Sequence, residues 1–181
     1  MLGRLGTEPA GPTLLVTVAL HGNEPGGVQA AERVLGRLER EGAPPLAGRI
    51  AVLIGNHAAL SRGTRFVDLD LNRQWTPSKL AALGDGHRGR AEAAEHDEQR
   101  ALLEVVRGEI ARARGPVYFL DLHTSSADGP PFLTVGDTLI NRRFARAFPL
   151  PAIFGLEEQV DGSLLEFLND RGVITLGVEG G

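Results

Sequence analysis

The sequence predicts an α/β fold, a mostly parallel, mixed central sheet with helices on both faces. Three observations carry this expectation. Short apolar runs at Leu14 to Leu20, Arg49 to Gly55, Val117 to Leu122 and Val173 to Val178 have the length and composition of strands buried on both faces. They alternate with stretches of helical period, among them Val28 to Leu38 and Ala91 to Ala113, which is the order that builds a parallel sheet. The first run also stops abruptly at a polar, glycine-rich turn, as strands do at a ligand-binding edge. At 181 residues, without a visible linker, the chain is expected to form one domain with a substantial core.

That first junction, "LLVTVALHGNEPGG", is the point around which the chain is organised. Val28, Ala31, Leu35 and Leu38 recur at helical spacing after it, and Pro25 is acceptable in a first turn because its missing amide proton has no intrahelical partner. His21 and Glu24 therefore fall in a strand-to-helix turn at the carboxyl end of a strand. An imidazole and a carboxylate three positions apart can be aimed at one point, which is two-thirds of a zinc site of the two-histidine, one-glutamate type. Read alone, the same stretch is equally a tight turn in which Gly22, Gly26 and Gly27 serve only the backbone.

"REGAPPLAGR" reads as a loop and Arg49 to Gly55 as the second strand, with Asn56 to Gly63 an irregular or briefly helical link. Phe66 to Trp75, "FVDLDLNRQW", is dense in charge partners. As one strand of period two it would present Asp68, Asp70 and Asn72 on one face, with Arg65, Val67, Leu69, Leu71 and Arg73 on the other. Arginine and asparagine together suit a carboxylate clamp. Without a neighbouring metal they read instead as surface ion pairs of little energetic worth.

Thr76 to Arg90 reads as a loop broken by Pro77, Gly84, Gly86 and Gly89, with His87 exposed in it. Ala91 to Ala113 reads as a long amphipathic helix with Ala94, Ala101, Leu102, Val105, Ile110 and Ala113 along one face. Glu92, Glu95, His96, Asp97, Glu98 and Arg100 are then its solvated side. Val117 to Leu122 leads to His123, again just past a buried run, and Asp121 points to the same side as His123 if the strand continues. Short strands at Pro130 to Gly136 and Ala152 to Leu156 flank an arginine-rich helix over Leu139 to Ala147. A helix over Ser163 to Asn169, with Asp161 or Ser163 as cap, precedes the final strand, which ends at Glu179.

Composition narrows the function classes. A net charge of −4 offers no broad basic surface for nucleic acid or anionic membrane. The amino terminus lacks the apolar core of a signal peptide, and no apolar run is long enough to span a bilayer. Cysteine is absent, which excludes a disulfide framework, a thiolate metal site and a cysteine nucleophile; the cytoplasm is the default expectation.

Taken together, "HGNE", "RFVDLDLNR", "DLHTSS" and the terminal "VEGG" resemble the catalytic domain of the succinylglutamate desuccinylase and aspartoacylase family, within the zinc carboxypeptidase superfamily. The resemblance covers nearly the whole chain. It implies one zinc ion held by His21, Glu24 and His123, with Glu179 as the general base that activates the zinc-bound water. Arg65 would polarise the scissile carbonyl and stabilise its oxyanion, while Asn72 and Arg73 would hold the substrate's free carboxylate. Asp70 would orient the His21 ring. The implied reaction is hydrolysis of the amide of a small N-acyl amino acid. The resemblance also implies a smaller β domain beyond this glutamate; residues 1–181 hold none, so they read as the catalytic domain alone. A carboxypeptidase acting on short peptides and a non-catalytic anion- or metal-binding module are the competing readings.

Overall fold

In a computed structural model, residues 1–6, 11–41, 46–84, 93–125 and 128–181 are described. Among these residues the sheet has seven strands: β1 (Gly3–Leu5), β2 (Thr13–Val18), β3 (Arg49–Ile54), β4 (Val117–His123), β5 (Phe132–Val135), β6 (Ala152–Phe154) and β7 (Ile174–Glu179). Their order across the sheet is β1-β3-β2-β4-β7-β5-β6. Pairing is parallel throughout β3-β2-β4-β7 and between β5 and β6, and antiparallel where β1 meets β3 and β5 meets β7. The expected mixed, mostly parallel sheet is therefore present.

Helices α1 (Gly26–Glu41), α2 (His57–Arg62), α3 (Pro77–Gly84), α4 (Ala94–Arg112), α5 (Leu139–Ala145) and α6 (Leu164–Asn169) complete the order. Alternation along each central strand sends successive side chains to opposite faces. Leu15, Leu53 and Phe119 join Leu102, Val106, Leu164 and Leu168 from α4 and α6 in one core. Val16, Val18, Val52, Leu120 and Leu176 join Ala31 and Leu35 of α1 and Ala145 of α5 in the other. Both faces are thus covered, and polar side chains at the strands' carboxyl ends are left to face the rim.

Three local expectations change, and one element is added. Phe66 to Trp75 is no strand: an irregular loop leads into a 3₁₀ turn at Leu71–Arg73. The backbone N–H groups of Val67, Asp68 and Leu69 are satisfied by the carboxylate of Glu95 instead of a neighbouring strand. Glu95 therefore does not lie on a solvated face; it is fully buried, and the inward face of α4 is Glu95, Gln99, Leu102, Leu103, Val106 and Glu109. Part of the supposed loop after Trp75 is helix α3, which begins at Pro77 where a missing N–H costs nothing. The added element is β1, an edge strand whose three residues are too few for a period to show. His87 and Glu92 lie outside the described residues.

Candidate metal centre

The site is assembled at one edge of the sheet by strand register. β2 ends at Val18, and buried Ala19 takes a positive φ of 51°, a conformation costing a side chain about 1 kcal/mol that reappears at functional turns. The chain then turns through His21 to Glu24, closed by the Glu24 amide donating to the His21 carbonyl. Gly22 packs directly on α2: a Cβ there would lie 2.0 Å from the Ala59 carbonyl carbon. That contact explains the glycine after His21. α2 is itself held by Asn56, whose side chain caps the Ala59 amide, and by Gly63 in the left-handed region.

β4 carries His123 to the same edge, and its neighbour β7 places Glu179 directly beside His123 in register. His21 Nδ1 and His123 Nδ1 each lie 2.9 Å from a different oxygen of Glu24. The rings' other nitrogens are both held by aspartates, His21 Nε2 by Asp70 at 3.2 Å and His123 Nε2 by Asp121 at 3.0 Å. Asp121 is buried and accepts a hydrogen bond from Thr17 at 2.6 Å. Sequence reading placed Asp121 on the correct side but gave it no role; the signal was its position two residues before His123 on one strand.

This arrangement asks for a cation. With Nε2–H donated to each aspartate, both Nδ1 atoms present lone pairs toward a carboxylate 2.9 Å away, a contact that needs a proton or a metal ion between the groups. Burial alone would lower the His21 and His123 pKa values, yet Asp70, Asp121 and Glu24 hold both above the usual imidazole range. Burial would raise Glu24, but its hydrogen bonds to the two histidines bring it down to about 2. The donor atoms of His21, Glu24 and His123 lie within 4.8 Å of one another, close enough to converge on one ion. Two imidazole nitrogens and one carboxylate oxygen suit zinc.

The remaining predicted residues line the same cleft, of about 330 Å³, with His21, Glu24 and His123: Arg65, Asn72, Arg73 and Glu179. Arg65 donates to Asp70 at 3.2 Å and lies 3.8 Å from Glu24. Asn72 accepts the Leu164 amide through Oδ1 at 2.9 Å, which fixes its orientation and leaves the amide NH₂ group as a donor. Burial and the Glu24 and Asp121 carboxylates push the Glu179 pKa up, against the pull of the two histidines. A carboxyl so poised can exchange protons nearer neutral pH. Phe132, Leu156, Val160 and Leu165 form an apolar side of the cleft. A larger groove of about 640 Å³ at the opposite strand ends has neither a carboxylate nor an imidazole in its lining.

The family model of the succinylglutamate desuccinylase/aspartoacylase catalytic domain matches residues 10–181. The chain belongs to this family. It is 33% identical over 130 residues to a succinylglutamate desuccinylase of Burkholderia pseudomallei, covering 68% of this chain and 35% of that protein. The solved succinylglutamate desuccinylase of Chromobacterium violaceum superposes with a TM-score of 0.71 at 18% identity, over 95% of this chain and 55% of that one. Murine aminoacylase 3 gives 0.63 at 23%, over 97% and 57%. The chain thus spans about a third of the curated relative's length and about half of each solved chain's, and at these identities the structures establish the shared α/β fold.

Proposed function

We propose that this chain is the catalytic unit of a zinc-dependent hydrolase that cleaves the amide bond of a small N-acyl amino acid. The observation that carries the proposal is the pair of carboxylate-backed imidazoles converging on Glu24, inside a cleft that also holds Glu179, Arg65, Asn72 and Arg73. Family membership and the desuccinylase relatives support it.

In this reading His21, Glu24 and His123 hold one zinc ion, which when bound supplies Lewis acidity toward water and the scissile carbonyl. Arg73 and the Asn72 amide take the substrate carboxylate and so fix the acyl carbon over the ligand cluster. Glu179 accepts a proton from the attacking water and returns it to the leaving nitrogen. Arg65, a guanidinium at the cleft wall, faces the negative charge that develops on the carbonyl oxygen. The products are a carboxylic acid and a free amino acid.

The test is release of free amino acid from N-succinyl and N-acetyl amino acids by the zinc-loaded protein, with a dipeptide as comparison and Glu179→Gln as the inactive control. Hydrolysis of an acyl amino acid in preference to the dipeptide, reduced at least a hundredfold by Glu179→Gln, is expected. A zinc-loaded protein that hydrolyses none of them would leave a metal-binding module; preference for the dipeptide would make it a carboxypeptidase.

A further inference from the structure

The loop that carries Arg65, Asp70, Asn72 and Arg73 has almost no regular structure of its own, yet four groups on it face the cleft or its histidine. What gives it a fixed shape lies behind it, in the first turn of α4. Glu95 is fully buried, and its carboxylate accepts three consecutive backbone amides: Val67 at 2.6 Å, Asp68 at 2.9 Å and Leu69 at 3.0 Å. It also accepts from Asn56 Nδ2 at 3.2 Å, the same Asn56 that caps α2. The clasp is reciprocal, because Asp68 accepts the Ala94 amide at 2.8 Å where α4 begins. One turn on, Gln99 donates to the Gln74 carbonyl at 2.6 Å and secures the far end of the loop.

We infer that Glu95 is a positioning residue for the metal centre, acting through the backbone of residues 67–69 to hold Asp70 against His21 and Arg65 beside Glu24. The inference rests on the zinc reading of the cleft. The lever arms are short: Asp70 is the next residue after the clasped segment and Arg65 lies two before it. If the three amides lose their acceptor, the loop has no neighbouring strand to hold it, and Asp70 moves off His21 Nε2. The ring then loses the contact that fixes its tautomer and aims Nδ1 at the metal. Glu95 touches neither metal nor substrate.

The test compares zinc affinity, by chelator competition, in the parent, Glu95→Gln and Glu109→Gln. Glu109 is the matched control: it is also buried on α4, but at the helix's other end, where it pairs with Arg4 and Arg49. A glutamine at position 95 keeps one acceptor oxygen and opposes an amide donor to the backbone N–H groups. The expected result is a drop of about tenfold or more in zinc affinity for Glu95→Gln, the lower end of the effect of losing a metal ligand's supporting carboxylate, with Glu109→Gln unchanged. Equal affinity in parent and Glu95→Gln, or an equal drop in both variants, would overturn the positioning role while leaving the zinc reading intact. A parent that binds no zinc would overturn both. Should Glu95→Gln not fold, amide exchange in the parent decides: linkage requires zinc to slow exchange at Val67, Asp68 and Leu69, and unchanged exchange there overturns the inference.

Discussion

Each imidazole of the cluster is occupied on both sides, by Glu24 at Nδ1 and by an aspartate at Nε2. The two aspartates differ in support: Asp121 is buried on the central strand β4 and held by Thr17, while Asp70 is partly exposed on a loop and shared with Arg65. Asp121→Asn is therefore expected to weaken zinc binding by about ten- to a hundredfold, since an amide can present its NH₂ to the ring and reverse the tautomer; chelator competition measures it. Zinc affinity unchanged by the substitution would show that the ring's orientation is set elsewhere. In the proposed reaction Arg65 acts on the substrate as well as on the geometry of the cleft. If it faces the developing oxyanion, Arg65→Ala should lower turnover roughly a hundredfold, about 3 kcal/mol, and unchanged turnover would remove it from that role.

At the scale of elements, the site joins two kinds of support that left different traces in the sequence. His21, His123 and Glu179 stand just past buried apolar runs, and such runs are local, so strand and strand end could be read directly. The loop from Arg65 to Arg73 announced its residues but not its shape. A stretch alternating Asp68, Leu69, Asp70, Leu71 and Asn72 has the period of a strand, but its amides at 67–69 are taken by the carboxylate of Glu95, some 26 positions or more away, and it is a loop. For the same reason a charge in the first turn of α4 could not be recognised as buried: its partners are backbone amides, which have no sequence signature. The acid side of the stability profile exposes that partnership. Burial would raise the Glu95 pKa, but three backbone amides and Asn56 lower it below the usual value of 4.5. The stabilisation is then complete above that value and fades as pH falls through the lower, folded one. The melting-temperature gap between the parent and Glu95→Gln should be widest near neutrality and close in acid; a gap independent of pH would mean that the bonds to the ionised carboxylate contribute nothing. Gly22→Ala should be destabilising by more than about 1 kcal/mol in denaturant unfolding, because the new methyl meets backbone atoms of Ala59 and Leu60 that cannot rotate away.

For the whole molecule, the two cores fix the strands and the strands fix the spacing of the ligands. The described residues contain no helix long and apolar enough to cross a membrane. His21 and His123 lie on adjacent parallel strand ends, 102 positions apart in sequence, so the metal cluster exists only when the sheet is formed. If the cluster takes zinc as proposed, metal binding and folding are linked. Zinc at a free concentration of about 100 times its Kd should stabilise the chain by about 2.7 kcal/mol, a rise of about 5–10 °C in Tm for a chain of this size. A chelator should reverse the shift. The most direct test is zinc content by elemental analysis of the purified chain beside His21→Ala and His123→Ala. About one zinc per chain in the parent, lost in both variants, is the predicted result; zinc retained in full by both variants, or absent from the parent after reconstitution, would contradict the metal centre described above.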